Sequence, residues 1–197
     1  KKSKNKIHNY IEINSKIVFK LVKIAASKNV KKFLFLSSVK AKKYDFKDLN
    51  PDNLYIDKKN IYGLSKKIAE NYLIKRSQQS KMQIFILRSS LIYGPNVKGN
   101  LRLLNKVIEM NLFFTIPEFN NKKSMIHIDD LIESMMIILQ KGQNGRIYTA
   151  TDGRVYSTKD ILNSIAVSKN KKIPKWTIPF VFINFMIFLS SYSKTLE

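Results

Sequence analysis

Residues 61–72 read IYGLSKKIAENY. Tyr62 and Lys66 stand four apart in a run of helix formers, a spacing that puts both side chains on one helical face. A phenol ordinarily holds its proton to pH ~10, and an ammonium within a few ångströms favours the phenolate. The pair therefore predicts a proton shuttle, Tyr62, tuned by Lys66 for acid/base work near neutral pH. Spacing alone is weak support, because nine tyrosines in so lysine-rich a chain give roughly one or two such pairs by chance. A second pair, Tyr55 and Lys59, follows the turn-forming Pro51, Asp52 and Asn53. Only Tyr62 opens a segment with a helical apolar period, carried by Leu64, Ile68, Tyr72 and Leu73.

On either side of this helix lie apolar runs. Residues 33–36 are continuously apolar and end in Ser37 and Ser38, the pattern of a strand buried on both faces in a parallel sheet. Residues 83–93 read as another central strand, closed by Gly94, Pro95 and Asn96. Before the first strand, Ile13, Ile17, Val18, Leu21, Val22, Ile24 and Ala25 mark an amphipathic helix over about residues 11–27, with Asn29 near its end. Alternating helices and buried strands predict an α/β fold, part of a doubly wound, Rossmann-like parallel sheet. Such sheets do their chemistry at the C-terminal ends of the strands, where Ser37 and Ser38 fall. A serine hydroxyl there either exchanges hydrogen bonds with a substrate oxygen or caps the strand end.

The second half reads as a smaller α/β region. Asn100 and Leu101 open a helix whose period runs through Leu103, Leu104, Val107 and Ile108, with Asn100 placed to cap it. Residues 113–117 suggest a short strand and 120–123 a turn. Asp129 and Asp130 are expected to cap a helix reaching about residue 141, which explains the two carboxylates more simply than metal binding does. Residues 146–151 look like a strand, and Ser157 to Asp160 carry the spacing of a capping box. The apolar stretch 178–189, broken by Pro179 and Asn184, is shorter than the ~20 residues a bilayer span needs and is expected to pack as a helix. The division expected is residues 1–95 for the sheet domain and 96–197 for a substrate region interleaved with the last strands.

Composition narrows the function classes. The formal charge is +22, yet only five of the 36 basic residues are arginines, and the lysines are strewn through every segment. Base recognition favours clustered, bidentate arginine, so nucleic acid is not the expected partner. The absence of cysteine excludes disulfides and thiolate metal sites and suits a reducing cytosol. Two histidines lack metal-ligand spacing, and His127 is expected in a strand core; no metal is predicted.

Four stretches in order, VKKFLFLSSV (30–39), YGLSKKIAE (62–70), ILRSSLIYGPNVKGN (86–100) and SMIHIDDL (124–131), resemble the motifs of the extended short-chain dehydrogenase/reductases. That family comprises nucleotide-sugar epimerases, dehydratases and 4-keto reductases. The resemblance implies Tyr62, Lys66 and Ser38 as catalytic residues and Asn14, Ser37, Tyr62, Lys66 and Arg88 as contacts to NAD, with NADP possible. It also implies Tyr93, Asn100, Leu101 and Lys123 as contacts to a nucleotide sugar. Two positions depart from the family pattern: Val39 replaces the usual third hydroxyl, and Lys123 stands where an arginine commonly clamps the diphosphate. A Gly-rich dinucleotide turn is missing from the sequence, so the chain is expected to be an interior fragment whose first three βα units lie upstream. The implied activity is 4-epimerisation of a UDP-hexose or UDP-N-acetylhexosamine for surface polysaccharide, by a cytoplasmic enzyme. A homodimer through the Tyr62 helix is also implied. Alternatives are a 4-keto reductase or dehydratase and a non-catalytic binding protein.

Overall fold

In chain order, a π-helical turn (Glu12–Lys16) runs into α1 (Ile17–Ser27), followed by β1 (Lys32–Ser38), a 3-10 turn (Val39–Lys43), α2 (Ile61–Gln79), β2 (Gln83–Ser89) and β3 (Leu91–Tyr93). Then come α3 (Asn100–Glu109), β4 (Lys123–His127), α4 (Ile128–Lys141), β5 (Ile147–Ala150), β6 (Val155–Tyr156) and α5 (Thr158–Ser168). This computed structural model describes residues 9–43, 61–97, 99–111 and 121–173. The loop expected over residues 44–60, the strand over 113–117 and the apolar stretch 178–189 lie outside the described residues. The chain divides into two units: residues up to Ile92 together with Ile126–Asp152, and Tyr93–Met125 together with the residues from Gly153. α4 and β5 thus return to the first unit, on the far side of the boundary drawn at residue 95.

The first unit is built on a parallel sheet of order β1-β2-β5. Lys32 stands opposite Gln83 and Ser38 opposite Ser89, and Ile86 to Ser89 pair with Ile147 to Ala150. Alternation along β2 sends Ile84 and Ile86 into a core with Val18, Val22, Phe35, Ala69, Leu73 and Met82, so α1 and α2 cover one face. Phe85 and Leu87 point the other way, to Ile126, Leu131 and Ile138 beneath α4. Burying each of these β2 side chains contributes roughly 1.5–3 kcal/mol. The strand expected over 83–93 is interrupted at Ser90, whose N–H bonds Ala150 O at 3.1 Å; β3 beyond it joins a second sheet, β3-β4-β6. α1 ends in a Schellman motif, with Val30 N–H on Ala25 O, Asn29 N–H on Ala26 O and Asn29 at φ 56°.

Three local expectations are corrected. α2 does not expose an apolar face: Leu64 and Leu73 are buried, Ile68 and Tyr72 half-buried, and the exposed apolar stripe lies instead on the first helix, at Ile13, Ile17, Leu21 and Ile24. His127, not the aspartates, caps α4; its Nδ1 accepts from the Asp129 N–H at 3.3 Å, which places Asp129 and Asp130 in the first turn. Asn100 is the first residue of α3 rather than its cap, because Gly99 holds that position at φ 71°, a conformation glycine adopts without steric cost.

In the second unit, α3 and α5 pack through Ile108, Leu162 and Ala166, with Leu101, Met125 and Ile161 alongside. The capping box is formed: Ser157 Oγ accepts from Asp160 N–H at 3.1 Å, and Asp160 Oδ2 accepts from Ser157 N–H at 2.8 Å.

Gly63, beside Tyr62, lets α2 approach the 3-10 turn. A Cβ at Gly63 would lie 2.6 Å from Lys40 O and 3.0 Å from Lys40 C, backbone atoms that cannot swing aside. Gly63→Ala is therefore expected to lower stability by about 1–3 kcal/mol in urea denaturation. An unchanged midpoint would show that this close approach does not hold the helix.

Candidate active site

Every part of the site in the first unit hangs on α2. Tyr62, Lys66 and Glu70 follow at four-residue intervals and so line one face, which lies over the C-terminal half of β1. Tyr62 is half-buried in the first turn of the helix. Its ring meets Tyr10 edge-on at 6.0 Å between centroids, with Lys40 Nζ 5.8 Å from the ring centre. The Ser38 hydroxyl stands near enough to the phenol to lower its pKa, and it accepts the Lys40 N–H at 3.3 Å. Burial pushes the phenol above its ordinary pKa; the Ser38 hydroxyl pulls it back, and Tyr10 adds to the rise.

Lys66 Nζ donates to Leu36 O at 3.0 Å and sits 4.7 Å from the Phe35 ring centre, a cation–π distance. Burial lowers its pKa, and the Glu70 carboxylate opposes that fall. The expected tuning of Tyr62 by Lys66 is absent from this arrangement. The ammonium is turned to a strand carbonyl, and the forces acting on the phenol are burial, Ser38 and Tyr10.

One turn further on, the fully buried Glu70 carboxylate takes three hydrogen bonds: Ser37 Oγ at 2.6 Å, Arg88 Nε at 2.8 Å and Arg88 Nη2 at 2.6 Å. Ser37 and Arg88 are opposite one another in the β1–β2 register, so one carboxylate bridges both strands at the same level. Two of the roles implied for cofactor contact are thereby redirected. The Arg88 guanidinium is engaged bidentately with Glu70, and the Ser37 hydroxyl gives its proton to the same group. Glu70 is the residue that the site-by-site reading missed. Its signal was the third step of the 62, 66, 70 period.

Asn14 lies in the π turn, where an extra residue per turn brings both Asn14 and Ser15 against α2. Asn14 Nδ2 donates to Ser65 Oγ at 3.1 Å, Ser15 Oγ donates to Ser65 O at 2.7 Å, and Ser65 Oγ donates to Tyr62 O at 2.8 Å. Asn14 thus reaches the backbone of Tyr62 through Ser65 rather than its phenol.

The four residues implied for the nucleotide sugar belong to the second unit. Tyr93 and Leu101 line a cavity of about 420 Å³ with Val97, Met125, Tyr156 and Ile161. Lys123 Nζ donates to Thr158 Oγ1 at 3.2 Å, and Asn121 Nδ2 to the same oxygen at 2.8 Å, at the start of α5. Asn100 is exposed at the start of α3.

The parallel sheet with helices on both faces agrees with what known sequences show of the fold family. The sequence model of the NAD dependent epimerase/dehydratase family matches residues 1–150. The chain belongs to that family. Among curated relatives, it is 28% identical to a UDP-glucose 4-epimerase of Vibrio cholerae, covering 94% of this chain and 57% of that protein. It is 27% identical to the N-acetyl-alpha-D-glucosaminyl-diphospho-ditrans,octacis-undecaprenol 4-epimerase of Escherichia coli O157:H7, covering 87% of this chain and 52% of that protein. The chain therefore spans about half the length of the curated relatives it matches. In structure it resembles the UDP-glucose 4-epimerase of Thermotoga maritima, with a TM-score of 0.68 at 15% identity, over 86% of this chain and 57% of that one. That likeness establishes the Rossmann-like fold.

The Ser38 hydroxyl is the one group here that lowers the pKa of the Tyr62 phenol. Ser38→Ala should therefore raise it further, read as the 295 nm titration that disappears in Tyr62→Phe. Stability has the matching sign: a phenol whose folded pKa is raised stabilises the fold below the unfolded value of about 10, and that contribution is lost as pH climbs through the folded value. An unshifted or lower titration in Ser38→Ala would show that the hydroxyl does not solvate the phenolate.

Proposed function

We propose that the protein acts at C4 of a nucleotide sugar, as a UDP-hexose or UDP-N-acetylhexosamine 4-epimerase in the making of surface polysaccharide. The observation that carries this reading is the placement of Ser38 at the end of β1 by the Tyr62 phenol, whose pKa it lowers, with Lys66 one helical turn away. Ser38 orients the sugar hydroxyl; Tyr62, which burial keeps protonated, must first give its own proton to solvent, and as the phenolate it accepts the hydroxyl proton and later returns it. Lys66, held on the Leu36 carbonyl, offers its remaining donors to a bound cofactor. A nicotinamide dinucleotide, when bound, supplies the hydride acceptor that such chemistry needs.

The residues present suit one end of that cofactor. The Lys66 ammonium has three donors, of which the Leu36 carbonyl takes one, leaving donors for ribose hydroxyls. A Gly-rich turn for the pyrophosphate is not found in the sequence. Support for a nucleotide sugar comes from the two epimerase relatives. Two further parts of the reading are a cytoplasmic setting and a homodimer through the exposed stripe of Ile13, Ile17, Leu21 and Ile24. The dTDP-D-glucose 4,6-dehydratase of Dictyostelium discoideum, 30% identical over 54% of this chain, favours a dehydratase as the second reading.

The protein should interconvert UDP-glucose and UDP-galactose, or their N-acetylated forms, in an NAD-dependent coupled assay. Tyr62→Phe keeps the ring and removes the proton carrier, so turnover should fall by about 10²-fold or more. Undiminished turnover in that variant would remove Tyr62 from the mechanism, and release of a 4-keto-6-deoxy sugar would select the dehydratase.

A further inference from the structure

The mechanism above leaves unexplained a fully buried carboxylate two helical turns from the proton shuttle. Glu70 is 0% exposed and its partner Arg88 11%. Its three bonds, at 2.6, 2.8 and 2.6 Å, leave neither oxygen without a donor. Burying such a pair is a poor way to gain stability, since well-packed apolar residues in its place are often neutral or better. A bidentate arginine–carboxylate pair does, however, impose geometry.

The geometry imposed here is the register of one helix against two strands. Along α2, Lys66 is tied to Leu36 O and Glu70 to Ser37 Oγ, two links to consecutive residues of β1, while Tyr62 stands by Ser38, the next residue. Glu70 alone adds a link to β2, through the residue paired with Ser37. A slip of the helix by one residue, ~1.5 Å, would break bonds of this length. We propose that Glu70 is a positioning residue: its bridge to Ser37 and Arg88 fixes where Tyr62 and Lys66 stand over the strand ends. The inference rests on the reading of Tyr62 as proton shuttle.

A second consequence follows from charge. Burial draws the Lys66 pKa down and Glu70 opposes it, so losing the carboxylate should move the ammonium's titration to lower pH. The other ionisable groups on the elements packed against α2 are Glu12 and Lys16 of the π turn, paired at 2.8 Å; Lys20 and Lys23 of α1; Lys32 of β1; Lys40, Lys42 and Lys43 of the 3-10 turn; Arg88 of β2; and Tyr10. Glu70 is the one that raises the Lys66 pKa.

The test uses the protein with NAD and UDP-glucose or UDP-N-acetylglucosamine, and two variants. Glu70→Gln keeps the shape and removes the charge; the double variant Glu70→Met/Arg88→Met removes the bridge without leaving a buried charge. Both should lower kcat by about 10- to 100-fold, the scale of an ångström of misplacement, while KM changes less than about twofold. The double variant should melt no lower than the wild type, and Glu70→Gln should move the alkaline limb of the kcat profile to lower pH. A folded double variant with wild-type kcat would overturn the proposal, as would failure of both variants to fold, since the pair would then be a folding determinant. If the wild type turns over no nucleotide sugar, the functional reading fails separately. The ε-ammonium titration of Lys66, followed by NMR and assigned with Lys66→Arg, then decides: a downward shift in Glu70→Gln supports the bridge, and an unchanged one overturns it.

Discussion

Strand β2 is covered on both faces, and the rest of the first unit follows from that burial. Its backbone is satisfied by β1 on one side and β5 on the other, while its side chains alternate between the layer of α1 and α2 and the layer of α4. Parallel strands buried in this way bring their C-terminal ends to one edge of the sheet. Ser37, Ser38, Arg88 and Ser89 therefore arrive at a common level from separate stretches of chain.

α2 is an unusual covering helix because much of its buried face is polar. Ser65, Lys67, Glu70 and Ser77 are all buried. A polar group out of water costs about 1–3 kcal/mol unless it finds a partner. The Ser65 and Ser77 hydroxyls donate to Tyr62 O and Ile74 O of their own helix, and other elements supply the rest: Ser37 and Arg88 reach Glu70, Ser15 reaches the Ser65 carbonyl, and Asn144 Nδ2 reaches the Ser77 carbonyl at 2.9 Å. Asn144 also accepts the Ile84 N–H at 2.8 Å through Oδ1, so one side chain fastens the end of α2 to the start of β2. Packing of this kind is directional, and a helix held by directional bonds presents its functional groups in one orientation.

The layered α/β arrangement was legible because hydrophobic periodicity reports burial directly. Continuous apolar runs announced β1 and β2, the 3.6-residue period announced α1 and α3, and the capping-box spacing announced α5. The same signal misled where burial is polar: the moderate period of Leu64, Ile68 and Leu73 suggested an apolar face free for a partner, whereas the helix is turned inward through serines and a glutamate. Caps were harder to read than helices, because a cap depends on the backbone angle of one residue. Gly99 and His127 took the positions that Asn100 and the aspartates seemed suited to fill.

The sequence by itself determined the class of fold, put Tyr62 and Lys66 on one helical face and put Ser38 at a strand end, since spacing along an element suffices for that. It could not determine what each polar group would touch. Whether Lys66 faces the phenol or the Leu36 carbonyl, and whether Arg88 meets a ligand or Glu70, depends on how elements far apart in the chain are brought to one level. Only the tertiary structure decided this, by setting Ser37 opposite Arg88 and laying α2 across both. The physical reason is range: helical and strand periods act over a few residues, whereas a hydrogen bond is made or lost within an ångström of its partner's position, wherever in the chain that partner lies.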